Sequence, residues 1–288
     1  MTSADLQRFI DSARHRRWTR GHAMDFTGAC QGTAACLAST DGVVSAGDYQ
    51  ERFTLMSAIK PFLLLHVLET YGAAQVDAWV DDRPSAEPYY SLEQLMADGG
   101  RPRNAMINSG AMVLASKLAG GDPAAQMESF LAWLSAFCPE AHITLHPEAL
   151  AELTEPDADI TNQMIAMVLR RTRQIDDHHA AFEAYFRLCC LQGSVRDIAL
   201  LGLALARSSS IYRSRVIHTM SHSGLYEATP QWMAATSLPA KSGVSGVVFA
   251  LFPNGSCLAA CDPLLDDGGN PVLPQRLLRA VSDSGLLN

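Results

Sequence analysis

The sequence predicts an α+β fold in which one antiparallel sheet is built from both chain ends around an inserted helical lobe. Three observations lead there. A hairpin signal stands near each end of the chain, the long block between them reads as helix, and strands do not alternate regularly with helices. The last point argues against a parallel, doubly wound sheet.

Taken in order, residues 3–17 form the first expected helix, with Ser3 as N-cap and Leu6, Phe9 and Ile10 along one face. The run GTAACLAS (32–39), a turn at Thr40-Asp41-Gly42 and the run VVSAGD (43–48) read as the first hairpin. A helical pattern runs from Ser57 to about Tyr71. Residues 104–207 are mostly helical, with Gly120-Gly121, Asp122-Pro123 and His146-Pro147 as boundaries. GVVFALFP (246–253), a turn at Asn254-Gly255 and SCLAAC (256–261) form the second hairpin, and 275–281 close the chain as a helix. The termini then lie close together. One two-lobed domain follows, with a sheet lobe of about 1–56 and 208–288 and a helical lobe of about 57–207.

Composition narrows the function. Of the 288 residues 48% are hydrophobic and 18% charged, against a usual charged share of about 25%, so a sizeable core is available. A net charge of −8 argues against a nucleic acid or an anionic membrane as partner. The basic runs at 14–20 and 170–173 are short and read as solvated helix faces. No apolar stretch reaches the roughly 18 residues of a membrane span; the best, 61–68, is broken by His66 and preceded by Lys60. The first residues carry charges every few positions and show no apolar signal segment. Seven cysteines without CxxC spacing read as reduced, mostly buried thiols of a cytoplasmic protein.

Two motifs can carry chemistry. Ser57-Ala-Ile-Lys60 puts a hydroxyl and an amine on one face of a helix start, where a neutral lysine can take the serine proton. Lys241-Ser242-Gly243 opens the strand before the second hairpin, and this strand is expected beside the nucleophile's helix, with a backbone N–H facing a scissile carbonyl. The chain has three lysines, and two of them stand in these motifs. Other polar sets read as structural. His218 and His222 have the spacing of a helical metal pair, but no acidic third ligand is evident, so a solvated or capping role is expected. The cluster Asp176-Asp177-His178-His179 reads as surface. Gly28-Ala-Cys30-Gln-Gly32 mimics a nucleophile elbow but precedes a strand, so Cys30 reads as a buried thiol.

With these motifs in place, the chain resembles the serine-dependent glutaminase family, whose fold is of the β-lactamase and penicillin-binding-protein type. The resemblance runs in order through GDYQERFTLMSAIKPF (47–62), GRPRNAMINSGAM (100–112), Glu155 with Asn162, and AYFRLCC (184–190). It continues through SGLYEA (223–228), SLPAKSGVSG (237–246) and DPLLDDGGN (262–270). It implies Ser57 as the acylating nucleophile, Lys60 as its base and Tyr185 as the relay of a proton to departing ammonia. It implies that the N–H of Val244 joins that of Ser57 in an oxyanion hole. It also implies that Asn108, Glu155, Asn162 and Tyr226 hold the amino-acid end of glutamine, a carboxylate for the ammonium and amide or phenol donors for the carboxylate.

Some positions depart from the family. Phe26 stands where the family usually has tyrosine, Met56 where it has glutamine before the nucleophile, Thr161 for arginine and Ala105 for proline. Ser245-Gly246-Val247 replaces a glycine run. The expectation is a glutaminase, acting on a small molecule without metal or organic cofactor and, by resemblance, a homo-oligomer. The alternatives are a related Ser-Lys amide hydrolase or acyl transferase with another substrate, and a silent binding protein on the same fold.

Overall fold

The structure, a computed structural model, describes residues 1–15, 22–23, 26–153, 155 and 158–287. The basic run at 14–20, beyond His15, and the last two residues of the expected first helix lie outside these. The first half of the chain holds α1 (Ser3–His15), β1 (His22–Ala23), β2 (Ala34–Ser39), β3 (Gly42–Gly47) and β4 (Arg52–Thr54). A 3-10 turn, Met56–Ile59, leads into α2 (Lys60–Tyr71), followed by α3 (Ala73–Trp79), α4 (Leu92–Ala97), α5 (Asn108–Ala115) and α6 (Pro123–Phe137). Then come β5 (Thr144–Leu145), α7 (Pro147–Leu153), α8 (Ile160–Arg171), α9 (His178–Cys189), β6 (Leu191–Ser194) and α10 (Val195–Arg207). The last part holds α11 (Arg213–Ser223), a 3-10 turn (Tyr226–Ala228), α12 (Thr229–Thr236) and β7 (Ala240–Gly243). It ends with β8 (Val247–Leu251), β9 (Cys257–Cys261), β10 (Leu264–Leu265) and α13 (Val272–Asp283).

The main sheet has the order β3-β2-β9-β8-β7 and is antiparallel at each pairing, so both chain ends build it as expected. Side chains alternate across β2 with period two. Ala35 and Leu37 join Leu6, Ile10, Leu273, Leu277 and Val281 on the face covered by α1 and α13. Cys36 and Ala38 join Ile198, Leu201 and Leu205 of α10 on the other. Gly202 lets α10 settle onto the sheet, because a Cβ there would strike Cys257. The terminal helices α1 and α13 pack against each other, which brings the chain ends together. All seven cysteines are buried and unbridged.

Three details differ from the sequence reading. The first helix is capped by Thr2, one residue earlier than Ser3. Thr2 Oγ1 accepts from the Asp5 N–H (3.2 Å) and Asp5 Oδ2 accepts from the Thr2 N–H (2.8 Å), because an acidic residue three positions on closes a capping box with threonine. The helical block also contains β5 and β6, and β6 pairs antiparallel with both β4 and β5 in a second, three-stranded sheet. Strands this short fall below the window in which a period-two pattern is visible. Finally, the helix expected from Ser57 begins as the 3-10 turn, entered through Met56 at φ +47°. Among the described residues no helix is long and apolar enough to cross a membrane.

Candidate active site

Ser57 sits in the 3-10 turn between β7 and α9 and is 5% exposed. Left-handed backbone at Met56, uncommon for a residue with a side chain, turns the chain sharply from β4 into this turn. The Leu55 N–H donates to the Leu191 carbonyl at 2.6 Å, which ties the turn to β6. One turn of helix later, Lys60 is fully buried, with its Nζ donating to the Met106 carbonyl (3.2 Å) and to Asn108 Oδ1 (2.9 Å). Burial lowers the pKa of this amine to about 8, against a smaller opposing pull from the Cys189 thiol. A neutral amine has two hydrogens and one lone pair. Met106 and Asn108 accept the two hydrogens, so the lone pair is left to act as a base.

Edge strand β7 lies against the turn. A Cβ on Gly243 would come within 2.6 Å of the Leu55 carbonyl oxygen, so only glycine permits this approach. Lys241 is fully buried, donates to the carbonyls of Gly224 (3.0 Å) and Ser242 (2.8 Å), and stands 4.0 Å from the centre of the Tyr226 ring. Burial, and then the charge of Lys60, hold its pKa well below the usual lysine value. Ser242 Oγ donates to Asn270 Oδ1 at 2.6 Å, which fixes the strand from its other face.

Tyr226 and Tyr185 complete the buried set. Tyr226 is also left-handed, at φ +55°, and its buried hydroxyl faces Ser57 without a hydrogen bond of normal geometry. Burial raises its pKa, the neighbouring Tyr89 adds to the rise, and Ser57 opposes it. The Tyr185 ring lies 5.6 Å from Lys60 Nζ. Burial raises the Tyr185 pKa as well, with the Cys189 thiol adding to the rise by its charge and as a hydrogen-bond partner. Asn108 Nδ2 donates to Asn162 Oδ1 (3.1 Å), and Asn162 Nδ2 donates to Asp159 Oδ2 (2.7 Å). A polar chain thus runs from Lys60 to Asp159, the residue that caps α8.

Val244 follows Gly243 and is half-buried. The structure thus gathers Ser57, Lys60, Tyr185, Tyr226, Asn108 and Asn162, with Val244 at their edge. Glu155 stands apart: it is exposed and lines a groove of about 630 Å³ with Gln163, Met167, His178 and Phe182. Phe26 is half-buried against the main core and Met56 is 7% exposed.

Sequence reading missed three residues here. Tyr89 packs on Tyr226 with ring centres 4.3 Å apart, and burial pushes its pKa up to about 12. Its backbone carbonyl accepts from the Asn108 N–H at 2.9 Å. Cys189 touches Tyr185, and Asp159 anchors Asn162. Tyr89 and Asp159 stand in irregular segments without periodicity, and Cys189 looks like any other core thiol. One reading is corrected outright: His218 and His222 do meet an acidic third group, Asp82, brought to α11 by the segment after α3.

Comparison with known proteins decides the family. The glutaminase family model matches residues 29–287. The chain belongs to the glutaminase family. It is similar to the glutaminase of Synechocystis, with 38% identity over 255 residues, covering 86% of this chain and 77% of that one. It is 32% identical to a glutaminase of Corynebacterium efficiens over 88% of its own length, but spans only 63% of that longer relative. A solved probable glutaminase superposes with a TM-score of 0.89 at 26% identity, covering 100% of this chain and 99% of that one. A probable glutaminase from Bacillus subtilis gives a TM-score of 0.90 at 24% identity, with 99% and 97% covered, a likeness of fold alone. The resemblance read from the motifs is borne out. So is the β-lactamase-like α+β fold that it implied for this amidohydrolase.

Proposed function

We propose that the chain hydrolyses the side-chain amide of L-glutamine to L-glutamate and ammonia through an acyl-enzyme on Ser57. Lys60 Nζ takes the Ser57 proton as Oγ bonds to the amide carbon. The oxyanion that forms accepts hydrogen bonds from the N–H groups of Ser57 and Val244. Tyr185 relays the proton now on Lys60 to the departing nitrogen, the C–N bond breaks, ammonia leaves and Lys60 is neutral again. Water then adds to the γ-glutamyl ester, its proton returns through Lys60, and glutamate departs as Ser57 regains its hydrogen. Asn108, Asn162 and Tyr226 hold the amino-acid end of the substrate, and the Tyr226 hydroxyl, facing Ser57, also serves the reacting atoms; the ammonium role of Glu155 rests on the resemblance alone, since its carboxylate lines the neighbouring groove.

The observation that carries this reading is Lys60, fully buried next to a serine three residues before it and brought to a pKa of about 8. A lysine with an ordinary pKa is protonated at neutral pH and cannot accept the proton. The family match supports glutamine as substrate. The order of elements supports a single two-lobed catalytic domain, the seven buried, unbridged cysteines support a cytoplasmic location, and the resemblance supports a homo-oligomer. Ammonia release measured over glutamine, asparagine, γ-glutamyl amides and glutaminyl peptides tests the substrate. Glutamine is expected to lead, and 6-diazo-5-oxo-L-norleucine is expected to label Ser57 in the wild type and nothing in Ser57→Ala. Turnover of another amide with glutamine untouched would overturn the substrate, and labelling elsewhere would overturn the nucleophile.

A further inference from the structure

The site just described makes no use of a second polar cluster, on the outer side of α11. We propose that Asp82, His218 and His222 form a binding site for a divalent cation of the Zn2+ class. His218 and His222 are four residues apart on α11, and their rings lie 4.7 Å apart on one face. Asp82 approaches both, with Oδ1 3.2 Å from His222 Nε2 and Oδ2 3.8 Å from His218 Nε2. One ligand atom from each residue lies within 4.8 Å of the other two.

Three features separate this set from a chance surface cluster. His222 Nδ1 is engaged with Ser223 Oγ at 3.0 Å, which leaves Nε2, buried and without a well-formed hydrogen bond, against the carboxylate. An imidazole lone pair facing a carboxylate oxygen at this distance needs a proton or a metal ion between them. The carboxylate is also held from behind. Thr219 Oγ1 donates to Oδ1 at 2.8 Å and the Arg215 guanidinium forms an ion pair with Oδ2, its Nε 2.9 Å away, the outer support that metal-binding carboxylates use. The guanidinium charge is shared with Asp77, whose Oδ1 is 2.8 Å from Arg215 Nη2, so two carboxylates face one arginine.

The third feature is access. The side chains of Asp82 and His222 are 15% and 20% exposed, while His218 is 66% exposed, so an ion can enter from solvent on the His218 side and keep a water as fourth ligand. Two imidazoles and one carboxylate suit zinc, whereas calcium and magnesium prefer all-oxygen sets.

The site joins two segments that lead to Lys60 and Lys241. Asp81 and Arg83, on either side of Asp82, donate their N–H groups to the Pro102 and Arg103 carbonyls. Asn104 in turn holds the Met106 N–H at 2.9 Å, and the Met106 carbonyl accepts from Lys60. At the end of α11, the Gly224 carbonyl accepts from Lys241. A bound ion therefore clamps α11 to the 81–83 segment and is expected to raise the melting temperature.

Equilibrium dialysis of the full chain against Zn2+, with Co2+ absorption as a second readout, tests the proposal. The wild type is expected to bind one equivalent more than His218→Ala/His222→Ala, and to show Co2+ bands that this variant lacks. Both proteins keep all seven cysteines, so thiol binding cancels in the comparison. Thr219→Val is expected to weaken binding by about tenfold while keeping the stoichiometry. His218→Ala alone changes an exposed side chain and keeps the fold, so its loss of binding is readable even if the double variant is unstable. Equal zinc stoichiometry and equal Co2+ spectra in wild type and His218→Ala would overturn the site.

Discussion

The two sides of the main sheet show what stability and reactivity each demand. On the side covered by α1 and α13, buried apolar side chains meet one another: Ala35, Leu37, Val248 and Leu258 face Leu6, Leu273 and Leu277. On the other side, where β7 meets the Ser57 turn, Lys60 and Lys241 are fully buried and the Tyr226 hydroxyl lacks a hydrogen bond. Met56 and Tyr226 both have left-handed backbone there. Each of these costs the fold free energy, of order 1–3 kcal/mol for a strained residue or an unpaired buried polar group. The first side stabilises the molecule and the second spends part of that stability on a lysine that can lose its proton.

The largest effects belong to the reactive side. Ser57→Ala is expected to lower kcat for ammonia release by about four orders of magnitude or more while the melting temperature is held, since only one hydroxyl is removed. Retention of a tenth of the activity would remove Ser57 from the reaction. Lys60→Met should cost a similar factor, because the two residues act as a unit. Unlike most core substitutions it should not lower the melting temperature at pH 7, because it deletes a buried cation. A fall of many degrees would show that Lys60 is a net stabiliser and would break the comparison.

The pH dependence of Lys60 links the two sides. Its folded pKa, about 8, is below the usual lysine value of 10.5. Activity should therefore rise as pH passes through about 8 and level off above it, when chemistry limits the rate. Between pH 8 and 10.5 the unfolded chain binds more protons at this group, so its contribution to stability grows with pH, by at most about 1.4 kcal/mol per pH unit. Urea unfolding of wild type and Lys60→Met across this window reads the slope directly. Parallel curves would mean that Lys60 keeps an ordinary pKa.

Leu277→Ala probes the opposite side. The residue lies on α13 and is fully buried against the sheet, so truncation should cost about 2–5 kcal/mol of stability. Ammonia release by the folded fraction should be unchanged. A comparable loss of kcat would mean that the two sides are mechanically coupled.

What the sequence made legible follows the same division. Both hairpins, the antiparallel sheet and the α13 helix were readable because apolar alternation and turn residues repeat over enough positions to be counted. The β4-β6-β5 sheet was not, since its strands hold two to four residues. Within the site, Ser57, Lys60 and Lys241 stood out by spacing and by the scarcity of lysine. Tyr89, Cys189 and Asp159 reach the site only through packing or capping, and the Asp82 partner of His218 is more than a hundred residues away along the chain. Such contacts belong to tertiary structure alone.

The smallest effect concerns the rim of the site, where the comparison can be sharpened by adding polarity. Phe26 and Met56 are apolar where the family carries hydroxyl and amide groups. Phe26→Tyr with Met56→Gln returns both groups while keeping the side-chain sizes close. A hydrogen bond to a charged group contributes about 1.5–3 kcal/mol, roughly 10- to 150-fold in kcat/KM. The double variant is therefore expected to raise kcat/KM for glutamine by at least about tenfold. It should lose some stability, because glutamine at position 56 places an amide where a thioether is 7% exposed and the backbone is left-handed. A gain in rate with a lower melting temperature would extend the trade seen around Lys60 to the rim. A fall in kcat/KM for glutamine, with a rise for a larger or more apolar amide in the wild type, would show that the two changes serve a different substrate. No kinetic change on any amide would show that neither side chain reaches the substrate.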